Sequence, residues 1–411
     1  MPPVCHALGL SLHQPPGNLL RLHHSSNPQE RWDVRQIVWC YDRVTRMLDG
    51  FADVARLHLA FSGTLLKQLE DPAVVEAFQE VVDLPSLLER FRRAQYIEYL
   101  GSGLYHPVFP LIPSEDWEAQ AGWWQGLGRK LLGRDWFPGF CPPEIAFCQP
   151  MIPMLRRLGY RYVLVDSIYI KPKRQMRWDE MLYRPHRARW GDDEIVVVPI
   201  DRELSNAQAS GTSPWWWEKE LQERTKHCDF PALVTTWSDG ENGGWFRNPD
   251  VEYAFWGHFY CPVLEKHRAG KLGFRPISIN EYLDLYGAGE EVDVYQGAWN
   301  TDHHWGGDFT QWTGSLLQRK GFDELRNASR YYHETKAHFD ALGDTLGGSL
   351  GGEALRAGEL LHAAYDHLLI AETSCNFYWG SRWVHLSFDE LEQTYRLLDQ
   401  VAALLPQRPL R

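Results

Sequence analysis

The sequence has 411 residues, of which 44% are hydrophobic and 23% are charged, with a formal net charge of -12 at pH 7. This length suits a full-size α/β domain with an appendage, and the negative charge argues against nucleic acid as a partner because phosphate groups attract basic surfaces. No apolar run reaches the roughly 18 residues of a membrane-spanning helix, and the N-terminal stretch MPPVCHALGLSLHQPP lacks the basic start of a signal peptide. We therefore expect neither nucleic acid nor a membrane as a partner.

The cysteines and the aromatic residues add two further expectations. Seven cysteines without CxxC spacing indicate reduced thiols and a cytoplasmic location. Cys5, Cys40, Cys148 and Cys261 lie in apolar stretches and are predicted to fill the core.

The chain also has 19 Trp, 18 Tyr and 18 Phe. We expect most tryptophans in the core, but aromatic faces flanked by hydrogen-bonding groups also suit sugar rings.

The first part of the chain alternates strands and helices. An alternating stretch at residues 6–15 predicts a strand that stops at Pro15 and presents His13 and Gln14 at its end. After residue 95, a short strand and a proline-punctuated loop, YIEYLGSGLYHPVFPLIP, present His106. Between these two features the hydrophobic periodicity predicts a helix over 32–54, a strand over 56–62, and amphipathic helices over 65–78 and 84–93.

A single carboxylate, Glu144, stands in the stretch FPGFCPPEIAF at residues 137–147. Pro142 and Pro143 fix the backbone angle φ and remove backbone donors, which predicts that Glu144 ends an extended segment. A helical pattern follows over 151–158, and the β-like run 160–165 comes next. Because the carboxyl ends of strands carry the chemistry in parallel α/β folds, Glu144 is a candidate catalytic residue. The alternative is a solvated loop glutamate.

A second polar constellation follows a later strand. The stretch 166–193 is polar and is expected to form an excursion on the rim of a barrel, and strands are predicted at 194–201 and 232–237. Directly after the second strand comes SDGENGGW, which contains Asp239, Glu241 and Trp245. Carboxylates and glycines beyond a buried strand indicate a loop that approaches a ligand closely. An ordinary Asx-turn with solvated acids is the alternative.

The last third of the chain changes from strands to helices. The stretch YQGAWNTDHHWGGDFTQWT at 295–313 carries Trp299, His304 and Trp305. The clustered Asp302, His303 and His304 lack the spacing of a reliable zinc site, so no metal and no other cofactor is expected. Helices are predicted over 325–342, 353–371 and 388–405, with GGSLGG as a breaker. The insert 374–380, which includes Trp379, is poor in helix formers and is expected to reach over a cleft.

Two carboxylates at the ends of separate strands suit one chemistry in particular. Hydrolysis of a glycosidic bond with retention needs a nucleophile and a general acid/base about 5 Å apart. Glu144 and Asp239 are the candidates for this pair. The remaining polar and aromatic groups at predicted strand ends and loops are candidates for substrate binding.

Five ordered segments of the chain resemble the motifs of glycoside hydrolase family 57. They are His13-Gln14-Pro15, GSGLYHPVFPLIP at 101–113, Pro143-Glu144, Asp239-Gly240-Glu241, and the loop from Trp299 to Trp312. The resemblance implies a distorted (β/α)7 barrel of the α/β class over residues 1–315, followed by a helical C-terminal domain over 316–411 that contributes to the cleft. It also implies Glu144 as nucleophile and Asp239 as general acid/base, with no cofactor. By the same motifs, His13 and His106 would contact the sugar, and Glu241 with Trp245 would shape the site behind Asp239. The further candidates for substrate binding are Gln14, Trp299, His304, Trp305 and Trp379.

Two positions depart from the family pattern. The family usually has a tryptophan at the place of Cys141, and it often has a second histidine at the place of Ser11. Both candidate catalytic carboxylates are nevertheless present, so these departures bear on the sugar more than on the chemistry.

The resemblance predicts a retaining α-glycosidase that acts on α-glucans and hydrolyses α-1,4 links. A 4-α-glucanotransferase or a branching enzyme would use the same residues, because hydrolysis and transfer share every step up to the covalent intermediate. Two hypotheses from other classes are a metal-dependent carbohydrate deacetylase, which needs separated Asp and His ligands, and a non-catalytic glycan-binding protein. The sugar, the chain-length preference and the oligomeric state stay open.

Overall fold

The computed structural model describes residues 2–299, 308–346 and 352–405. Contacts between residues divide the chain into two units. The first comprises Met1–Leu104 and Ala121–Gly307, and the second comprises Tyr105–Gln120 and Asp308–Arg411. A short segment from the first third of the chain thus clusters with the C-terminal helices.

The strands lie in the first unit. In the described part of the chain they are β1 (Val4–Leu12), β2 (Leu57–Phe61), β3 (Ile97–Leu100), β4 (Gly139–Phe140), β5 (Tyr162–Asp166), β6 (Ile170–Pro172), β7 (His186–Trp190), β8 (Asp193–Ile200), β9 (Ala232–Asp239), β10 (Arg275–Pro276) and β11 (Val292–Val294). Strand β1 pairs in parallel with β9, β2 and β10, and β2 continues in parallel to β3. A second sheet has the order β4-β5-β8-β7.

Two backbone links join these sheets into a ring. Gly101, directly after β3, forms a parallel bridge with Phe140 in β4, and the Asp201 N–H, directly after β8, donates to the Thr235 carbonyl in β9 at 2.9 Å. Among the described residues the ring therefore contains seven strands in the order β9-β1-β2-β3-β4-β5-β8. This α/β arrangement has the strand number expected of a distorted (β/α)7 barrel.

The hydrophobic strands of the ring are buried on both faces. Every residue of β2 and of β5 is buried, because helices cover the outside and neighbouring side chains fill the inside. The interior cluster includes Leu100, Leu164, Val198 and Leu233. All seven cysteines are buried and free, including the four that were predicted to fill the core.

The helices alternate with these strands, as the hydrophobic periodicity predicts. Up to residue 286 they are α1 (Asn18–His23), α2 (Pro28–Leu48), α3 (Gly63–Glu70), α4 (Pro72–Phe78), α5 (Leu84–Arg93), α6 (Trp117–Leu132), α7 (Ile152–Arg157), α8 (Trp178–Tyr183), α9 (Arg202–Ser210), α10 (Pro214–Thr225), α11 (Gly243–Arg247), α12 (Cys261–Arg268) and α13 (Ile279–Tyr286). The single helix predicted over 65–78 is wrong. Pro72 cannot donate to the preceding turn, and the Asp71 side chain accepts from the Ala73 N–H, so a new helix begins there.

The predicted excursion at 166–193 is more ordered than expected. It contains β6, α8 and β7, and β7 pairs antiparallel with β8 at one end of the second sheet. The polar residues of β7 point away from the barrel, with Arg187 and Arg189 exposed while His186 and Ala188 are buried. This alternation is typical of a strand with one covered face.

The second unit is helical. Its C-terminal helices are α14 (Thr310–Thr313), α15 (Leu316–Leu346), α16 (Gly352–Ala371), α17 (Ser374–Tyr378) and α18 (Ser381–Leu404). Most of the insert at 374–380 forms the short helix α17, although its residues are poor helix formers. Asn376 donates to the carbonyls of Ile370 and Ala371 at the end of α16, and Phe377 stacks on Phe322 with ring centroids 4.0 Å apart. These contacts satisfy a helix end and bury an aromatic ring, which offsets weak helix propensity.

A buried carboxylate ties the segment 105–120 to these helices. Asp116 is fully buried and accepts hydrogen bonds from Ser329 at 2.6 Å and Tyr365 at 3.0 Å, and it lies 2.8 Å from His333. Burial and the Asp116 charge both raise the pKa of the neighbouring Glu372. A network of this kind costs free energy when any member is removed, so it fixes the segment in place.

Within the described ranges, none of the helices combines the length and the apolar character needed to cross a membrane.

Candidate active site

Three of the predicted site residues lie at carboxyl ends of ring strands. His13 follows β1, Asp239 is the last residue of β9, and Glu144 lies shortly after β4. In the register of the sheet, Asp239 pairs with Ser11, so the ends of β9 and β1 are level. Strands β4 and β9 are separated in the ring by β5 and β8 on one side and by β1, β2 and β3 on the other. Glu144 and Asp239 therefore follow strands on different sides of the ring.

The backbone of Glu144 is in the left-handed region. Its φ is 58° and its ψ is 16°, although the preceding Pro142 is extended as predicted. The extended segment ends just before Glu144, because the chain turns sharply after Pro143. Among the described residues other than glycine, only His106, Glu144 and Ile145 have a positive φ. Such strain persists where the surroundings impose it, and it often marks functional sites.

Trp299 supplies part of that surrounding. Its indole nitrogen donates to Oε2 of Glu144 at 2.6 Å, and its backbone N–H donates to the Glu144 carbonyl at 2.7 Å. Glu144 itself is half-buried. One carboxylate oxygen is thus oriented by a fixed donor, which is the arrangement a nucleophilic carboxylate needs.

Asp239 has a raised pKa. Burial is the largest cause, and it outweighs the opposing effects of the Asn242 hydrogen bond and the Arg247 charge. The Asn242 amide lies 3.3 Å from Oδ2 of Asp239. The next residue, Gly240, donates its N–H to the Ser11 carbonyl at 2.9 Å, which keeps this end of β9 against β1. A carboxyl group whose pKa is raised retains its proton more readily and suits a general acid.

Glu241 is fully buried beside Asp239. Its Oε1 accepts from the Gln14 amide at 2.8 Å and from the His13 N–H at 3.2 Å. Burial raises the pKa of Glu241 to about 8, and the Asp239 charge adds to this rise. Oε2 is buried without a hydrogen-bond partner, although the Tyr41 hydroxyl on α2 is close enough to lower the pKa. At neutral pH Glu241 is therefore mainly a neutral acid.

Gln14 and His13 are held by this acid and by α3. Gln14 is buried, and its carbonyl oxygen accepts from Asn18 at 2.7 Å. His13 is half-buried, with Nδ1 3.5 Å from the Thr64 hydroxyl. The hydrogen bond between Gln14 and Glu241 thus joins the end of β1 to the loop after β9. The His13 side chain remains partly accessible to solvent.

Trp245 lies farther along the same loop, in α11. It is half-buried and packs its ring against Gly211, where an added Cβ would lie 3.2 Å from its Cε3. His258 and Phe255 contact the ring edge-on. Its indole N–H is buried without a partner. Arg247 closes this loop by donating to the Glu241 carbonyl at 2.8 Å.

The two departures from the family pattern lie next to each other. The Trp237 indole donates to the Ser11 hydroxyl at 2.7 Å, and Ser11 is close enough to Cys141 to oppose the rise in thiol pKa that burial causes. Trp237 lies across Gly9 of the neighbouring strand. The interior below the barrel mouth is therefore filled by an indole that belongs to β9. Sequence patterns do not reveal this contact because Ser11 and Trp237 are far apart in the chain.

The remaining predicted site residues lie in the second unit or outside the described residues. His106 lies in the second unit with a φ of 56°, and its Nδ1 is 3.0 Å from the Ser374 hydroxyl. Burial lowers the pKa of His106 to about 3, so its imidazole is neutral. Trp379, also in the second unit, is 60% exposed. His304 and Trp305 lie outside the described residues, as do Asp302 and His303.

No group of three or more His, Cys, Asp or Glu side chains in the part of the chain that the structure describes is arranged to hold a metal ion. Glu144 accepts from the Trp299 indole, Asp239 from the Asn242 amide and Glu241 from the Gln14 amide.

Comparisons with known proteins identify the family. The profile of Glycosyl hydrolase family 57 matches residues 27–283. The chain is 28% identical over 200 residues to a 4-alpha-glucanotransferase of Thermococcus litoralis, covering 48% of this chain and 26% of that protein. It is 26% identical over 211 residues to an alpha-amylase of Pyrococcus horikoshii, covering 50% and 29%. Each match thus spans less than a third of the relative's length.

A comparison of folds finds similarity to a solved structure over nearly the whole chain. The crystal structure of an alpha-amylase from Thermotoga maritima superposes with a TM-score of 0.71 at 13% sequence identity, covering 98% of this chain and 94% of that one. At this identity the likeness concerns the fold.

Proposed function

The chain belongs to glycosyl hydrolase family 57, and from this premise we propose that it is a retaining α-glycosidase acting on α-glucans through a covalent glycosyl-enzyme intermediate. The observation that carries the proposal is the contrast between the two carboxyl groups of the barrel mouth. Glu144 is oriented by the Trp299 indole, whereas Asp239 has its pKa raised by burial. Two carboxyl groups whose environments differ in this way suit the two roles of a retaining mechanism.

In the first step, Asp239 donates its proton to the glycosidic oxygen while an oxygen of Glu144 attacks the anomeric carbon. The bond to the leaving sugar breaks, and an ester bond between Glu144 and the sugar forms. In the second step, ionised Asp239 accepts a proton from water as the water oxygen attacks the same carbon, which releases Glu144. The substrate configuration is retained because the carbon is inverted twice.

The buried acid beside Asp239 supports this assignment. Since the pKa of Glu241 is raised to about 8, this side chain adds little negative charge near Asp239 at neutral pH. Glu241 also accepts from the Gln14 amide and from the His13 backbone N–H. It therefore holds the end of β1 against the loop after β9. We assign Glu241 and Gln14 to this positioning within the substrate-binding region.

The other substrate contacts are proposed from position and chemistry. His13 and Trp299 retain partial exposure at the barrel mouth, and Trp245 is half-buried in the adjoining loop. His106, His304 and Trp305 complete the proposed set by motif position, and Trp379 of the second unit is added as an exposed aromatic residue. We assign catalysis to residues 1–315 and a contribution to substrate binding to the helical residues 316–411.

Transfer to an acceptor sugar is the alternative outcome of the same intermediate, as in a 4-α-glucanotransferase or a branching enzyme. The names of the relatives include both an amylase and a glucanotransferase, so the acceptor decides between the two activities. We further propose that the protein works in the cytoplasm, which its free cysteines favour, and that it requires neither a cofactor nor a nucleic-acid partner.

The test is product analysis with an activated α-maltooligosaccharide, using the wild type, Glu144→Ala and Asp239→Ala. On maltooligosaccharides without an activated leaving group, both variants are expected to lose at least about 1000-fold in kcat/KM. The activated substrate lets Asp239→Ala complete the first step without the missing acid. Added azide replaces water or the missing nucleophile, so Asp239→Ala yields the α-glycosyl azide and Glu144→Ala yields the β-glycosyl azide. A wild type that is active while either variant keeps full activity would contradict the assignment. Products longer than the substrate identify transfer.

A further inference from the structure

A cavity of about 460 Å³ opens at the amino ends of the barrel strands. Its wall includes Arg56 directly before β2, Tyr96 directly before β3 and Pro138 directly before β4. Glu144 and Asp239 lie at the opposite ends of the strands, and a strand of five residues spans about 17 Å. The cavity is therefore separate from the proposed active site. Its volume is within the range of about 300–1,000 Å³ that is typical of ligand pockets.

An exposed tryptophan forms one side of this cavity. Trp136 is 51% exposed, and its indole N–H donates to the Gly159 carbonyl at 3.1 Å. This hydrogen bond fixes the orientation of the ring without covering its surface. A large aromatic side chain that is both oriented and exposed offers an apolar face to a ligand at little cost in conformational entropy.

Neutral hydrogen-bonding groups stand beside that ring. The Gln95 side chain is exposed, and Tyr96 lines the cavity. Neither group makes a side-chain hydrogen bond to any residue in the described ranges. Ser278 uses its hydroxyl oxygen to accept from the Glu281 N–H at 3.1 Å and retains its own O–H for donation. Amide and hydroxyl groups around an aromatic face complement the hydroxyl edge and the apolar face of a sugar.

The charged groups of the cavity already hold partners. Arg134 donates to the carbonyls of Arg92 and Ala94 at 2.7 and 2.9 Å. Arg56 pairs with Glu281, and Asp53 pairs with Arg268. Glu98 accepts from the Tyr162 hydroxyl at 2.5 Å. The charges of the two arginines and the two carboxylates that line the cavity sum to zero. This balance disfavours a charged ligand.

We propose that this cavity is a second saccharide-binding site, which holds one or two sugar units of a neutral oligosaccharide or polysaccharide chain with Trp136 as its stacking platform. The choice of α-glucan as that chain rests on the proposed function. A site at the far end of the barrel from the carboxylates anchors a long chain without entering the reaction. It raises the local concentration of polymer ends near the enzyme, as linked binding sites do in general.

The experiment compares the wild type with Trp136→Ala, Gln95→Ala and the control Trp32→Ala by affinity electrophoresis in gels that contain amylopectin. Trp32 is 55% exposed on α2 and does not line the cavity. Trp136→Ala is expected to weaken retention by about 3- to 10-fold, since an aromatic contact is lost, and Gln95→Ala to weaken it by a smaller factor. Circular dichroism and thermal unfolding of each variant check the fold, and Gln95→Ala removes no hydrogen bond that the fold needs.

The outcomes separate this proposal from the proposed function. Weaker retention of both cavity variants, with Trp32→Ala like the wild type, supports the second site whether or not the protein releases products. Retention that is equal in the wild type and both cavity variants overturns it, even when the wild type cleaves amylopectin. Absence of wild-type retention on amylopectin also overturns it. For an active wild type, a rise in KM for amylopectin relative to KM for maltotriose in Trp136→Ala is the kinetic counterpart of weaker retention.

Discussion

Trp299 makes two hydrogen bonds to Glu144, one from its indole nitrogen to Oε2 at 2.6 Å and one from its backbone N–H to the carbonyl at 2.7 Å. Glu144 has a φ of 58°, and a residue other than glycine in such a conformation stores about 1–3 kcal/mol of strain. The backbone hydrogen bond from Trp299 stabilises this turn, and the indole hydrogen bond orients the carboxylate. The residue that positions the proposed nucleophile thus lies more than 150 residues farther along the chain.

We expect Trp299→Phe to lower kcat/KM by about 10-fold or more, because a hydrogen bond to a charged group contributes about 1.5–3 kcal/mol. The backbone hydrogen bond remains in this variant, so the fold should persist. Steady-state kinetics on a maltooligosaccharide measures the effect. Trp190→Phe, which makes the same chemical change on an exposed residue of β7, is the control. Equal losses in the two variants would argue against a specific role for the indole N–H.

Glu241 predicts a pH dependence of stability. Its pKa is about 8 in the folded protein against an ordinary value of 4.5. Between these two values the folded state binds more protons than the unfolded state, so the free energy of unfolding falls as the pH rises. The contribution is fully present below pH 4.5 and is lost as the pH rises through about 8.

We expect Glu241→Gln to remove this dependence, because an amide has the shape of the neutral acid and no proton to lose. The difference in Tm between variant and wild type should therefore grow in favour of the variant from pH 4.5 to about 8 and then level off. The total gain should amount to several degrees, since about 1 kcal/mol corresponds to about 2–4 °C in domains of this size class. Glu76→Gln on α4 removes an exposed carboxylate and is the control. A difference that stays constant with pH in the Glu241 variant would refute the assignment of a raised pKa.

The strands and helices could be predicted from the sequence where local pattern and tertiary packing agree. The run RLHLAFS contains β2, EIVVVPID contains most of β8, and the helix predicted over 84–93 has the bounds of α5. In each case the apolar residues that set the pattern are also the ones that the fold buries. Glu144 and Asp239 became candidates because each follows a predicted strand.

The details of the site could not be predicted, because they depend on residues that are distant in sequence. The left-handed turn at Glu144 is held by Trp299, and the burial of Glu241 depends on Gln14 and on Tyr41 of α2. Nothing in the local sequence DGENGG distinguishes a buried neutral acid from a solvated one. The difference arises from the desolvation that neighbouring elements impose.

Gly9 illustrates the same limit within a well-predicted strand. It pairs with Trp237 in the register of β1 and β9, and an added Cβ would lie 1.9 Å from Cε3 of the Trp237 ring. Glycine in a strand often marks such a close approach by a neighbouring group. The absent side chain at Gly9 is what allows the indole to lie flat across β1 and reach the Ser11 hydroxyl.

We expect Gly9→Ala to destabilise the protein by at least about 1–3 kcal/mol, because the indole must move and the core is overpacked. The Trp237–Ser11 hydrogen bond would break, so the near-ultraviolet circular dichroism of the tryptophans should change as well. Gly126→Ala is the matched control, since Gly126 lies on the exposed face of α6 with open space around its Cβ position. Alanine there should stabilise the helix by about 0.5–1 kcal/mol. Denaturant unfolding measures both variants, and a Gly9 variant as stable as the wild type would show that Trp237 does not need this space.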